Sequence, residues 1–302
     1  MTFPAYSVFG LVVASEIPLA ELDPAPAGAA PDAAIRLAPV TAPEAVAGYS
    51  AAGDATLLTV PKVGRFLISH GREILVDPAP EGSERNVRLF LLGSAFGALL
   101  HQRGLLPLHA NAIDIAGRAF AFSGHSGAGK STMAAWFHDR GHRILADDVC
   151  VIGFDAAGTA LAYPGIPRLR LWREALEASG RDADGFHRSF DDLDKYDVPT
   201  VREAPLEPLP IAGIYLLRKA GEGSEEAGIA RLTGVDAVET LMSNTYRGGY
   251  LRTIGRTGDH LAACLRVARA VPVFRAARLW GFDRFEEQAS RLEAHARGLA
   301  QA

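Results

Sequence analysis

Up to about residue 80, apolar residues fall in short runs, YSVFGLVV, TLLTV, RFLIS and EILVD, separated by proline-, alanine- and glycine-rich connections such as DPAPAGAAPDAA. Short runs rich in β-branched and aromatic side chains between turn formers predict strands, and the long connection reads as a surface loop. The pattern then changes. VRLFLLGSAFGALLHQRG is continuously apolar and predicts a buried helix over about 84 to 103, with Ser83 as N-cap and Gly104 as the stop. Arg88 and the His101-Gln102-Arg103 end leave twelve residues between charges, a G-x-x-x-G at Gly93 and Gly97 among them. A bilayer needs about 20.

Beyond that helix, strands and helices alternate in the manner of an α/β protein. Strands are predicted at AIDIA, AFAFS, RILA, VCVIGF, ALAYP, IAGIYLLR and VPVFRAARL. Helices are predicted near STMAAWFHDRG, WREALEASG, VDAVETLMS, DHLAACLRVAR and RFEEQASRLEAHARG. KAGEGSEEAG, at 219 to 228, reads as a solvated hairpin tip. The expected organisation is a smaller β-rich domain at 1–83 and an α/β domain at 84–302, without internal repeats.

Composition narrows the function classes. A chain of 302 residues buries a sizeable core, and a net charge of -4 gives no basic footprint for nucleic acid. The opening MTFPAYSVFGLVVAS has no positive segment of the kind that starts an export signal. With no span long enough for a membrane, and with Cys150 and Cys264 in apolar surroundings as reduced core thiols, the expected location is cytoplasmic. Self-association into a homo-oligomer is left open.

The chemistry concentrates in three stretches. GHSGAGKST, from Gly124 through His125, Ser126, Gly127, Ala128, Gly129, Lys130 and Ser131 to Thr132, matches G-x-x-x-x-G-K-[ST] and stands between a predicted strand and a predicted helix. The glycines let successive backbone N–H groups turn toward anionic oxygens, and the helix start adds its positive dipole end. Lys130 would reach the β and γ phosphates of ATP, and Ser131 would ligate Mg²⁺. In RGHRILADD, a predicted strand delivers Asp147 and Asp148 to the carboxyl end of the sheet. Neighbouring carboxylates alternate sides, so one faces a metal and the other an incoming hydroxyl. His109, in LHANAI, is a lone histidine and a weaker signal.

His109 in LHANAI, then GHSGAGKS, then RGHRILADD: in order and spacing this set resembles the catalytic domain of HPr kinase/phosphorylase, which phosphorylates a serine of a phosphocarrier protein. The resemblance implies a P-loop α/β fold similar to phosphoenolpyruvate carboxykinase. It implies His109 in the catalytic centre, Lys130 on the phosphates, Ser131 on Mg²⁺, Asp148 as general base, and Asp147 supporting the metal. The chain departs from that enzyme at residues 1 to 80, which do not match its N-terminal domain. It also has DDLDKYDVPTV, with Lys195, and NTYRGGY, with Arg247, in place of a basic acceptor-side loop.

The whole chain looks closer to HPr-kinase-like serine kinases of proteobacteria, including those associated with lasso-peptide biosynthesis. Those proteins share stretches like YSVFGLVVASEIPL, LLGSAFGALLHQRGLLPLHANAI and YPGIPRLRLW. Arg168, Arg170 and Lys195 are then candidates for gripping substrate phosphate or carboxylate groups, and Arg247 is counted with the catalytic set. The reading is an ATP- and Mg²⁺-dependent serine kinase whose partner is a peptide or small protein bearing the acceptor serine. A small-molecule kinase and a nucleotide-binding regulator without turnover are the alternatives.

Overall fold

The computed structural model of the chain describes residues 3–41, 46–173, 176, 186–190, 193–199, 207–220, 228–279, 281 and 284–301. It is a mixed α/β structure with two compact units. The first comprises Met1–Pro107 and Tyr246–Ala263, the second Leu108–Thr245 and Cys264–Ala302.

In the first unit the alternating runs become strands: β1 (Ala5–Val8), β2 (Leu11–Ser15), β3 (Asp23–Pro24), β4 (Ala33–Leu37), β5 (Gly48–Ala52), β6 (Ala55–Val60), β7 (Gly64–Ser69) and β8 (Glu73–Pro78). They form one sheet in the order β3-β1-β2-β4-β8-β7-β6-β5. Alternation fixes the buried face, because successive side chains point to opposite sides. Phe66 and Ile68 of β7 and Ile74 and Val76 of β8 are fully buried.

The predicted helix follows as α1 (Glu84–Phe90), a π turn at Leu91–Ala95, and α2 (Phe96–Gln102). Ser83 Oγ accepts the Asn86 N–H at 3.2 Å as the N-cap, and Gly104 ends the helix at φ 73°. Gln102 ties this helix to the sheet. Its amide donates to Thr56 Oγ1 and to the Ile68 carbonyl, both at 3.1 Å, and accepts the Gly71 N–H at 2.8 Å.

This differs from the boundary expected at residue 83, since the helix is grouped with the strands before it and not with the α/β unit after it. Tyr246 and Tyr250 join the same unit. The Tyr246 ring lies where Gly93 and Gly97 carry no Cβ, and Tyr250 stacks on Tyr49 with centroids 4.6 Å apart.

After the short strand β9 (Leu106–Leu108), the second unit contains β10 (Ala110–Ile115), β11 (Arg118–Ser123), helix α3 (Lys130–Asp139), β12 (Arg143–Ala146), β13 (Cys150–Phe154) and β14 (Ala160–Tyr163). Next come β15 (Arg168–Trp172), β16 (His187–Phe190), β17 (Leu193–Pro199), β18 (Leu209–Lys219), β19 (Gly228–Leu232) and β20 (Val273–Arg278). Helices Gly234–Ser243, Thr257–Ala270 and Phe285–Gln301 are where the periodicity predicts them. β10 pairs antiparallel with both β11 and β12, while β11, β18 and β20 are successive parallel neighbours. The carboxyl ends of β12, β11, β18 and β20 therefore share one edge of the sheet. Phe120, Phe122, Tyr215, Phe274 and Leu292 fill the core on one face, together with Leu169 and Leu171 of the small sheet β15-β17-β16.

One expectation fails. β18 and β19 do not form a hairpin: β19 pairs with β20, which lies between them. A parallel neighbour needs a crossover, and the chain supplies it with the helices between β19 and β20. Residues 221–227, within KAGEGSEEAG, and most of the helix expected at WREALEASG fall outside the described residues.

Candidate functional site

The glycine-rich loop leaves β11 at Gly124, φ 150°, where a Cβ would stand 2.8 Å from the Leu217 carbonyl oxygen. Gly127 and Gly129 follow at φ 80° and 82°, in the left-handed region that a side chain disfavours. His125, Ser126 and Gly127 are exposed, while Ala128 and Gly129 are half-buried. Lys130, the first residue of α3, is 7% exposed, and its ammonium donates to the Gly124 carbonyl at 2.7 Å and the His125 carbonyl at 3.2 Å. The loop thus closes around its own lysine. Ser131 and Thr132 are half-buried in the first turn.

Asp147 and Asp148 leave the carboxyl end of β12, on the same sheet edge as the loop. Asp148 has φ 64°, a conformation that aspartate tolerates better than most residues but that still costs energy. Asn111 joins this turn to the loop helix. Its Nδ2 donates to the Lys130 carbonyl at 2.7 Å, and its Oδ1 accepts the Asp148 N–H at 3.4 Å. Asn111 is 1% exposed. His109 lies one residue before the Ala110–Ser123 pair, so it stands beside the root of the loop. Its carbonyl accepts from Ser123 Oγ at 3.0 Å, and its N–H donates to the Asn244 carbonyl at 2.8 Å.

Arg170 faces the carboxylates. Its backbone N–H donates to Asp147 Oδ2 at 2.6 Å, its Nη1 lies 3.3 Å from Asp148 Oδ2, and its Nε donates to Asp197 Oδ1 at 3.2 Å. Arg168 is 3.7 Å from the other oxygen of Asp197. Arg170 is therefore bound up with the acidic turn, while Arg168 pairs with Asp197. Lys195 falls on β17, and its side chain lies outside the described residues. Arg247 belongs to the first unit, at φ 54° with its guanidinium over the Tyr246 ring.

On the other flank of the loop, Arg278 ends β20. It is 8% exposed and donates through Nη2 to the Ala128 carbonyl. Burial pulls its guanidinium down to about 10, which leaves it charged at neutral pH. Sequence reasoning missed three residues here. Asn111 had a signal, as a polar side chain in a strand of six buried residues. Arg278 had a fainter one, as a cation closing an apolar strand, and Asp197 had none beyond its stretch.

Among the described residues no three or more His, Cys, Asp or Glu side chains converge to hold a metal ion. Ser131 and Asp147 are oxygen donors suited to Mg²⁺, which takes only one or two protein ligands when a phosphate chain completes its shell. In residue type, that pair of donors fits Mg²⁺.

No protein-family model matches the sequence, and no curated protein does. Among solved structures, the chain is similar to the HPr(Ser) kinase/phosphatase from Coxiella burnetii, with 11% identity, 64% of this chain and 97% of that chain covered, and a TM-score of 0.35. No described helix is long and apolar enough to cross a membrane.

Proposed function

We propose that the chain is an ATP- and Mg²⁺-dependent kinase transferring the γ-phosphoryl group to a serine hydroxyl of a peptide or small protein. The observation that carries this reading is the Asn111 bridge, which holds the loop lysine's backbone and the Asp148 turn through one buried amide. The start of the loop helix and the Asp148 turn are thereby tied together.

The roles follow from the chemistry. The loop from Gly124 to Thr132 would hold the phosphates, with Lys130 exchanging its loop carbonyls for phosphate oxygens and neutralising charge as it develops. Asp148 would accept the hydroxyl proton as the serine oxygen bonds to the γ-phosphorus and the bond to the β-phosphate oxygen breaks. Arg170, through Asp147 and Asp148, would orient both carboxylates. Ser131 and Asp147 would hold Mg²⁺, which supplies charge neutralisation on the phosphates when bound.

The test is incubation of the purified protein with Mg-ATP and candidate peptides, read by mass spectrometry for a gain of about 80 Da on serine, the mass a transferred phosphoryl group adds. Lys130→Ala serves as the inactive control. Phosphorylation of free metabolites alone, or near-wild-type turnover by a folded Lys130→Ala variant, would overturn the reading.

A further inference from the structure

The second unit holds a recess on the side of the loop away from the aspartates. It is lined by Gly129, Thr132, Arg278, Leu279, Phe285 and Gln288, with a volume of about 80 Å³. Arg278, Leu279 and Gln288 also line a larger cavity of about 410 Å³ along the helix Phe285–Gln301, so the two form one trough that begins at the first turn of α3.

Strand order sets its direction. From β11, the aspartate-bearing β12 lies two strands away through β10, and β20 lies two strands away in the opposite sense through β18. A phosphate chain in the loop with its reacting end toward Asp148 has its other end toward Arg278.

Two buried polar atoms here have no hydrogen-bond partner: Arg278 Nε and Gln288 Oε1. Such atoms carry an uncompensated desolvation cost, so their presence together in one recess points to a ligand that pairs them. Gln288 is fixed in orientation, because its Nε2 donates to the Leu279 carbonyl at 3.1 Å. Its remaining oxygen is an acceptor only. The Phe285 ring, 5.9 Å from the Arg278 guanidinium, offers an aromatic wall.

We infer that this trough receives the nucleoside of the bound nucleotide, with Gln288 Oε1 accepting a base-edge amino hydrogen and Arg278 Nε donating to the sugar–phosphate junction. The inference rests on the loop being a phosphate cradle. With the 6-position of the base turned to Gln288, the amide acceptor pairs with the amino group of adenine and meets an oxygen in guanine.

Calorimetric titration with Mg-ATP, Mg-GTP and inorganic tripolyphosphate tests it. The expected result is ATP bound about tenfold or more tighter than GTP, and also tighter than tripolyphosphate, the worth of one buried hydrogen bond. Gln288→Met, checked for fold by circular dichroism, should bring the ATP-to-GTP ratio close to one.

Equal affinity of the wild type for ATP and GTP, or an unchanged ratio in Gln288→Met while Lys130→Ala still abolishes ATP binding, overturns the nucleoside site and leaves the cradle standing. No binding of ATP or tripolyphosphate by the wild type overturns both. Should Gln288→Met fail to fold, the wild-type ranking alone decides.

Discussion

Asp148 combines a left-handed backbone with an ion pair to Arg170. Asparagine tolerates the same φ and keeps the shape, but it accepts no proton. Asp148→Asn is expected to lower the transfer rate on the order of 10² to 10⁴ with ATP affinity held, measured by steady-state kinetics beside calorimetry. Asn111 works differently, since it contacts the loop helix and the turn through backbone groups. Asn111→Leu leaves the Lys130 carbonyl and the Asp148 N–H without that partner, so a loss of about 1–3 kcal/mol of stability is expected together with slower transfer, read from urea unfolding and initial rates. Both aspartates and the lysine were legible in the sequence as candidates, because residue type and spacing alone define those motifs. The amide joining them was not, since nothing in one dimension says that residue 111 faces residues 130 and 148. Arg168 and Arg170 were legible as charges but not as partners of acidic residues, for the same reason.

At the scale of elements, strand and helix positions followed from periodicity, and Ser83 and Gly104 ended the long helix as their chemistry dictates. Sheet order did not follow. The place of β20 between β18 and β19 depends on which edge stays open after β18 has paired with β11, and no local pattern encodes that. The loop allows a comparison between two of its glycines. At Gly124 an added Cβ would meet backbone 2.8 Å away, whereas Gly127 faces open space. Both alanine variants carry a positive-φ penalty, but only Gly124→Ala also collides with a sheet strand. Thermal melts should therefore place Gly124→Ala below Gly127→Ala, with a gap of about 1–3 kcal/mol, the usual cost of overpacking. Equal melting of the two would mean that the strand edge yields freely.

For the whole molecule, the compact units predict how fragments behave. A fragment of residues 84–302 strips the π turn and α2 of strand β7, against which they pack and where Leu91 and Leu99 are fully buried. It should form larger aggregates than the full chain, as size-exclusion chromatography would report. Acid acts on the first unit. Burial pulls His101 down from 6.5 to about 4, and its Nε2 faces the Tyr246 carbonyl at 3.1 Å, with His260, Tyr250 and Arg256 around it. Burial also lowers His260. The unfolded chain protonates His101 below about 6.5 while the folded one keeps it neutral down to about 4. Its contribution is therefore complete above 6.5 and is lost as pH falls through that window, by up to about 3 kcal/mol. Urea midpoints should drop between pH 7 and pH 4.5, and His101→Gln should flatten that slope.

β20 has a consequence for how the protein is born. The ribosome releases β18 well before β20, with residues 220–272 between them. At roughly 5–20 residues per second, the outer half of β18 waits several seconds with its hydrogen-bonding edge bare. An open edge beside Tyr215 and Leu217 is a template for pairing with another nascent chain. Residue 278 arrives at the end of that interval and supplies both the missing strand and the arginine that braces the loop. The emerging polypeptide thus gains its protected edge and its finished loop in the same step, and a chaperone-poor expression host should lose much of the product before that step.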